Sequence, residues 1–160
     1  MLDFDTLYRD YATAIYRFAL GLSGDRAVAE DITAETFVRV WTARERVRHD
    51  TVRAFLFAIA RNLFLTGARA SWRQRPLVES DAATGPLPDA EAIHRIDLAR
   101  ALERLRALDP EDRAALLMRA DGEMSYEEIG QALGVSAGAA RVRVHRARRR
   151  LQAAIAGGDR

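Results

Sequence analysis

Arg141, Arg143, Arg146, Arg148, Arg149 and Arg150 crowd together near the end of the chain, with His145 among them and no carboxylate in between. Guanidinium groups neither make nor break bonds here; their planar forks match phosphate oxygens and the acceptor edge of guanine. On a helix, Arg141, His145 and Arg148 recur at spacings of four and three and share one face, flanked by Arg143, Arg146 and Arg150. The pattern points to a nucleic-acid duplex, with Arg141, His145 and the nearby Ser136 at base edges or flanking contacts. Arg143, Arg146, Arg148 and Arg149 are then candidates for phosphate contacts. The bland competitor is a solvated basic helix. Bond chemistry has no comparable support, because His49, His94 and His145 are scattered without a paired nucleophile or ligand spacing, and the lack of cysteine removes the commonest zinc cage. No enzyme activity, metal or cofactor is expected.

The elements that must position these arginines are legible just upstream. Ser125 followed by Glu128 forms a capping box for a short helix whose Ile129 and Leu133 point inward. Gly134 suits a left-handed C-cap, and Ser136 can cap the next helix. That helix carries Ala140, Val144, Ala147 and Leu151 as a narrow apolar seam beneath the arginines. Two helices around a tight turn, the second one basic, make a helix-turn-helix, which lays its second helix in the major groove. Before it, Asp109-Pro110 reads as an N-cap and first helical position, with Asp112 favouring the helix N-terminus. Ala114, Leu117 and Met118 form that helix's apolar side, and Ile96, Ala99, Leu102 and Leu105 form the stripe of one preceding it.

The first half of the chain is helical by the same periodicity. Phe4, Leu7, Tyr11, Ile15, Phe18 and Leu22 mark one helix, interrupted at Gly21, Ser23 and Gly24. A second, from about residue 25 to 44, places Val28, Ile32, Val40 and Trp41 inward with Phe37 nearby, and Glu30, Asp31, Glu35 and Arg39 on other faces. A third carries Val52, Phe55, Leu56, Ile59, Ala60 and Leu63 and leaves through a basic stretch with Arg61, Arg69, Arg73 and Arg75. Trp72 within that stretch suits stacking on an unpaired base or packing against the bundle. Pro76, Gly85, Pro86 and Pro88 mark a linker. The expected fold is therefore all-α, with two small helical domains, 1–75 and 93–156, joined by a flexible linker over 76–92. The final residues 157–160 are expected to fray.

Charge is distributed unevenly along this plan. The net charge of +2 resolves into +3 over residues 1–78, −7 over 79–136 and +6 over 137–160, and every basic side chain other than histidine is Arg. The longest uninterrupted apolar run, Ala54 to Ala60, is far short of the roughly 20 residues that span a bilayer. Acidic Asp3 and Asp5 stand where a secretory signal would be basic. A cytoplasmic protein without membrane insertion is expected.

Three blocks in order resemble the sigma-70 family, and specifically its small extracytoplasmic-function sigma factors of bacterial RNA polymerase. AEDITAETFVRVW at 29–41 is similar to region 2.2 and its surroundings, and FLFAIARNLF at 55–64 to regions 2.3 to 2.4. LRALDPEDRAALLMRADGEMSYEEIG at 105–130 is similar to the start of region 4, and the helix-turn-helix sequence to the remainder. The resemblance implies a first domain that binds core polymerase and opens the −10 element, and a second that reads the −35 element. It further implies core polymerase contacts at Asp31 and Glu35, and −10 contacts among Asn62, Arg69, Trp72 and Arg73. The implied partners are core RNA polymerase, promoter DNA and an anti-sigma factor. Thr66 stands where Asp is common in the family, and Ala139 and Ala140 where Thr and Val are usual, which leaves the promoter sequence open. A helix-turn-helix regulator outside the polymerase is the competing reading; the blocks at 29–41 and 55–64 weigh against it.

Overall fold

Gly24 turns the chain from its first helix into its second. It adopts φ 71°, a left-handed conformation that costs glycine little, and its N–H reaches the Leu20 carbonyl. The next residue, Asp25, accepts a hydrogen bond from the Val28 N–H at 3.1 Å and so caps the second helix. In the computed structural model, which describes residues 3–67 and 89–158, these helices are α1 (Phe4–Ser23) and α2 (Arg26–Thr42). A single 3-10 turn at His49–Thr51 leads into α3 (Val52–Thr66), and the three helices enclose Ile15, Phe18, Leu22, Val28, Ile32, Phe37, Leu56 and Phe57. Phe18 and Phe57 meet edge to face, centroids 4.9 Å apart.

The second cluster comprises α4 (Asp89–Arg106), α5 (Pro110–Ala120), α6 (Tyr126–Leu133) and α7 (Ala137–Gly158). Its core includes Leu102, Leu108, Ala114, Met118, Met124 and Ile129, closed by Ala140, Val144 and Ala147 of α7. Burying a large side chain of this kind contributes about 1.5–3 kcal/mol. The described residues are thus all-α, in two helical clusters. Helix α4 begins within the stretch 76–92 read as linker, while residues 76–88 lie outside the described residues.

The two clusters are docked. Helix α1 packs on α5, and α3 packs on α6. A Cβ at Gly21 of α1 would stand only 2.7 Å from Leu117 Cδ1 of α5, so the helices approach closely there. Arg113 of α5 is buried and donates to Leu22 O at 2.5 Å and Leu108 O at 2.9 Å. Arg106 adds a bond to Ser23 O at 3.3 Å. The carbonyls left over at the end of α1 are therefore capped by arginines from the other cluster. Burial, followed by repulsion from Arg106, pulls the Arg113 guanidinium down to about 10, which still leaves it charged at neutral pH.

Three expectations change. Trp41 is 42% exposed, because it stands in the last turn of α2, where Phe4, 5.3 Å away, and the Arg44 guanidinium, over the indole at 4.2 Å, cover only part of the ring. The Asp109 side chain makes no cap bond, so Pro110 and the backbone carry the start of α5. Helix α7 continues through Gly157 to Gly158 instead of fraying at 157.

Candidate nucleic-acid interface

The helix-turn-helix is built from reciprocal caps. Ser125 Oγ accepts the Glu128 N–H at 3.1 Å while a Glu128 carboxylate oxygen accepts the Ser125 N–H at 3.1 Å, completing the capping box. Gly134 then turns the chain at φ 71°. Gly130 permits the turn from the other side: a Cβ there would lie 2.6 Å from the Val135 carbonyl oxygen. Ser136 Oγ accepts the Ala139 N–H at 3.1 Å and starts α7. The hydroxyl proposed for a flanking DNA contact thus has a structural task as well.

Buried Ala140, Val144 and Ala147 hold α7 to the domain and divide its arginines into two sets. Arg141, His145, Arg148 and Arg149 are exposed. Arg143, Arg146 and Arg150 turn toward α5, where two adjacent carboxylates meet them. Arg143 donates to Glu111 at 2.8 Å, and Arg146 forms a fork on Asp112 at 2.8 and 2.7 Å. Arg150 reaches the same carboxylate at 3.4 Å. The Asp112 side chain is 1% exposed, so its charge is stabilised by these arginines. The fork in turn holds the Arg146 guanidinium above its ordinary value. Asp112 stands in the first turn of α5 as expected and in addition fastens α7 to α5, and the arginines expected at phosphate are not equally available.

On the N-terminal cluster, Asp31 and Glu35 are exposed one turn apart on α2, and Glu35 accepts from Arg39 Nε at 3.2 Å. They border a groove of about 450 Å³ lined also by Ile32, Ala34, Val38 and Leu63. Val38 is 57% exposed beside them, giving this face an apolar centre and acidic edges. Asn62 is exposed near the end of α3, its Oδ1 accepting from Arg61 at 3.1 Å. Arg69, Trp72 and Arg73 lie outside the described residues.

Ion pairs that the sequence did not foresee connect the two clusters. Glu111 accepts from Arg61 of α3 through one carboxylate oxygen and from Arg143 of α7 through the other. Arg53 forks onto Glu128, and Arg17 meets Asp121 at 2.5 Å. Among the described residues there is no group of three or more His, Cys, Asp or Glu that could hold a metal ion. None of the helices there is long and apolar enough to cross a membrane.

Comparison with known proteins gives this architecture its class. The family model described as Sigma-70 region 2 matches residues 7–74, and that described as Sigma-70, region 4 matches residues 98–151. The first helical cluster and the helix-turn-helix cluster are those two regions, so the chain is of the sigma-70 type. Within that class it is 39% identical over 160 residues to the ECF RNA polymerase sigma factor SigE of Mycolicibacterium smegmatis, a match covering 95% of this chain and 61% of that relative. It therefore spans less than two thirds of that relative's length. It is 34% identical over 154 residues to the ECF RNA polymerase sigma factor SigL of Mycobacterium tuberculosis, covering 91% of this chain and 85% of SigL. The protein belongs to the extracytoplasmic-function (ECF) sigma factors of the sigma-70 family.

Solved structures agree over nearly the whole chain. The sigma factor RpoE in complex with the anti-sigma factor NepR from Bartonella quintana superposes with a TM-score of 0.76 at 26% identity, covering 96% of both chains. CnrH in complex with the cytosolic domain of CnrY gives 0.76 at 27% identity, covering 96% of this chain and 88% of CnrH.

Proposed function

We propose that the protein binds core RNA polymerase and directs it to a restricted set of promoters, with the region 2 cluster engaging the core and the −10 element and the region 4 cluster reading the −35 element. The observation that carries this reading is the exposed Arg141, His145 and Arg148 face on a helix-turn-helix, in a chain that matches both sigma-70 regions in order. Arg148 and Arg149 supply phosphate contacts, and Arg141 and His145 meet base edges. Asp31 and Glu35, around exposed Val38, form the core-binding face. Asn62, with Arg69, Trp72 and Arg73, is assigned to the −10 element. Both solved relatives named above were captured with a binding partner, NepR being described as an anti-sigma factor. An anti-sigma factor is accordingly the proposed regulator, and the cytoplasm the compartment in which polymerase and promoter are met.

The test is to add the protein to purified bacterial core polymerase with a genomic promoter library and to sequence the transcripts. A small set of new start sites is expected. Tight duplex binding without stimulated initiation would instead assign the protein to regulators acting outside the polymerase.

A further inference from the structure

One carboxylate touches both DNA-reading clusters. Glu111 of α5 accepts from Arg61 of α3 and, at 2.8 Å, from Arg143 of α7. Arg61 also donates to Asn62 at 3.1 Å, so its guanidinium joins the proposed −10 residue to Glu111. Both arginines are largely covered, with side-chain exposures of 13% for Arg61 and 23% for Arg143. A carboxylate offers two anionic oxygens to guanidinium groups much as a phosphodiester does, and both partners here belong to surfaces proposed to meet DNA.

We propose that Glu111 acts as an internal substitute for DNA phosphate, holding the two clusters together while occupying an arginine from each. This inference rests on the promoter-reading function proposed above. The other links between the clusters lack that double engagement: Arg53–Glu128 and Arg17–Asp121 pair residues outside the arginine helix, and Arg106 and Arg113 donate to backbone carbonyls. The docked arrangement also cannot read two separated elements at once. Elements named for positions −10 and −35 are separated by about 85 Å of duplex at 3.4 Å per step. A compact chain of this length has a radius of gyration of about 15 Å. Undocking must therefore precede two-site reading, and it removes Arg61 from Glu111 in the same motion. DNA that captures Arg61 and Arg143 competes directly with the internal carboxylate, coupling promoter engagement to opening.

The experiment uses the full chain, whose lack of cysteine permits paired labels at Ala27→Cys and Gln152→Cys, both exposed sites on different clusters. Distance distributions and affinity for promoter duplex are measured for this labelled protein and for Glu111→Gln, with Glu127→Gln as the charge control. Glu111→Gln is expected to increase the long-distance population and to tighten duplex binding about fivefold, as the competent fraction rises. Arg61→Gln should lengthen the distance equally, and the double variant should add nothing further, since both changes break one contact. An unchanged distance in both single variants overturns the proposal, as does weaker duplex binding by Glu111→Gln, which would show that Glu111 orients Arg143 for DNA. Should Glu111→Gln fail to fold by circular dichroism, Arg61→Gln decides the distance arm alone. If neither form binds DNA, the functional reading fails while the distance arm still tests the latch.

Discussion

Arg53 and Glu128, 75 residues apart in the chain, form a two-pronged ion pair with N–O distances of 2.7 and 2.6 Å across the docked clusters. The same Glu128 oxygen that accepts from Arg53 Nη2 also accepts the Ser125 N–H. One side chain thus completes a local helix cap and bridges two domains. Its replacement should separate those tasks: Glu128→Gln keeps an acceptor for Ser125 and loses the ion pair, whereas Glu128→Ala loses both. The pair is partly exposed, at 35% and 26%, so its loss should cost no more than about 1 kcal/mol. Loss of the cap should add about 1 kcal/mol. Urea unfolding of the two variants checks the order, with Glu128→Ala expected to be the less stable.

Acid should act on this bridge. The Arg53 hydrogen bonds, with help from Ser125, hold the Glu128 carboxyl below its ordinary 4.5, and Glu128 correspondingly raises Arg53. A depressed carboxyl binds its proton more weakly in the docked form than in the unfolded chain. Its stabilising contribution is therefore complete above pH 4.5 and fades as pH falls from there through the lower folded value. The stability difference between the native chain and Glu128→Gln should shrink over that acid window and stay constant above it, measured as urea midpoints at a series of pH values.

Gly130→Ala should destabilise the helix-turn-helix although alanine is the better helix former by about 1 kcal/mol. The added Cβ would meet the Val135 carbonyl oxygen at 2.6 Å, and a backbone atom cannot swing aside as a side-chain end can. Gly134→Ala should cost about 1 kcal/mol for a different reason, its left-handed φ of 71° with no steric neighbour. Melting curves of the two variants, followed by far-ultraviolet circular dichroism, test both; a stabilised Gly130→Ala would refute the close approach as the reason for glycine.

Local signals in the sequence carried much of this fold. Capping at Ser125, Glu128 and Ser136, the turn at Gly134 and the seam through Ala140, Val144 and Ala147 all depend on neighbours within one or two turns, which periodicity and cap chemistry report directly. The chemistry of Asp112 was not legible. Its position early in a helix fitted a favourable dipole interaction, but its burial depends on Arg146, 34 residues later, which only the packing of α7 on α5 brings near. Glu111 shares that limitation, because its partners Arg61 and Arg143 lie 50 and 32 residues away. Trp41 followed the apolar rhythm of α2, yet in the helix's last turn Phe4 and Arg44 cover only part of its ring.

The arginines of α7 should separate by partner. Replacing exposed Arg141 or His145 by Ala should change sequence preference in a binding-site selection. Arg148→Ala and Arg149→Ala should weaken all duplexes alike and lower the salt slope of log affinity by about 1 per lost phosphate contact. Arg146→Ala should act chiefly on folding, since it removes a fork from the nearly inaccessible Asp112 carboxylate. A larger loss of melting temperature for Arg146→Ala than for Arg148→Ala, beside a smaller change in salt slope, is the expected signature.

The acidic edge of α2 provides a test independent of DNA. Asp31 and Glu35 are exposed on either side of one turn and border the groove that includes Val38. An apolar centre gives an interface its affinity, while charges at its rim chiefly govern encounter and choice of partner. Reversing both, as Asp31→Arg with Glu35→Arg, should weaken binding to core polymerase by about tenfold or more, mainly through slower association at low salt. Val38→Ala should instead speed dissociation. Neither change buries or exposes an α7 arginine, so affinity for promoter duplex without polymerase should remain within about twofold of the native chain. Binding kinetics on immobilised core polymerase, measured beside duplex binding, decide the matter: unchanged core affinity would remove Asp31 and Glu35 from the interface, and parallel losses in both assays would indicate misfolding.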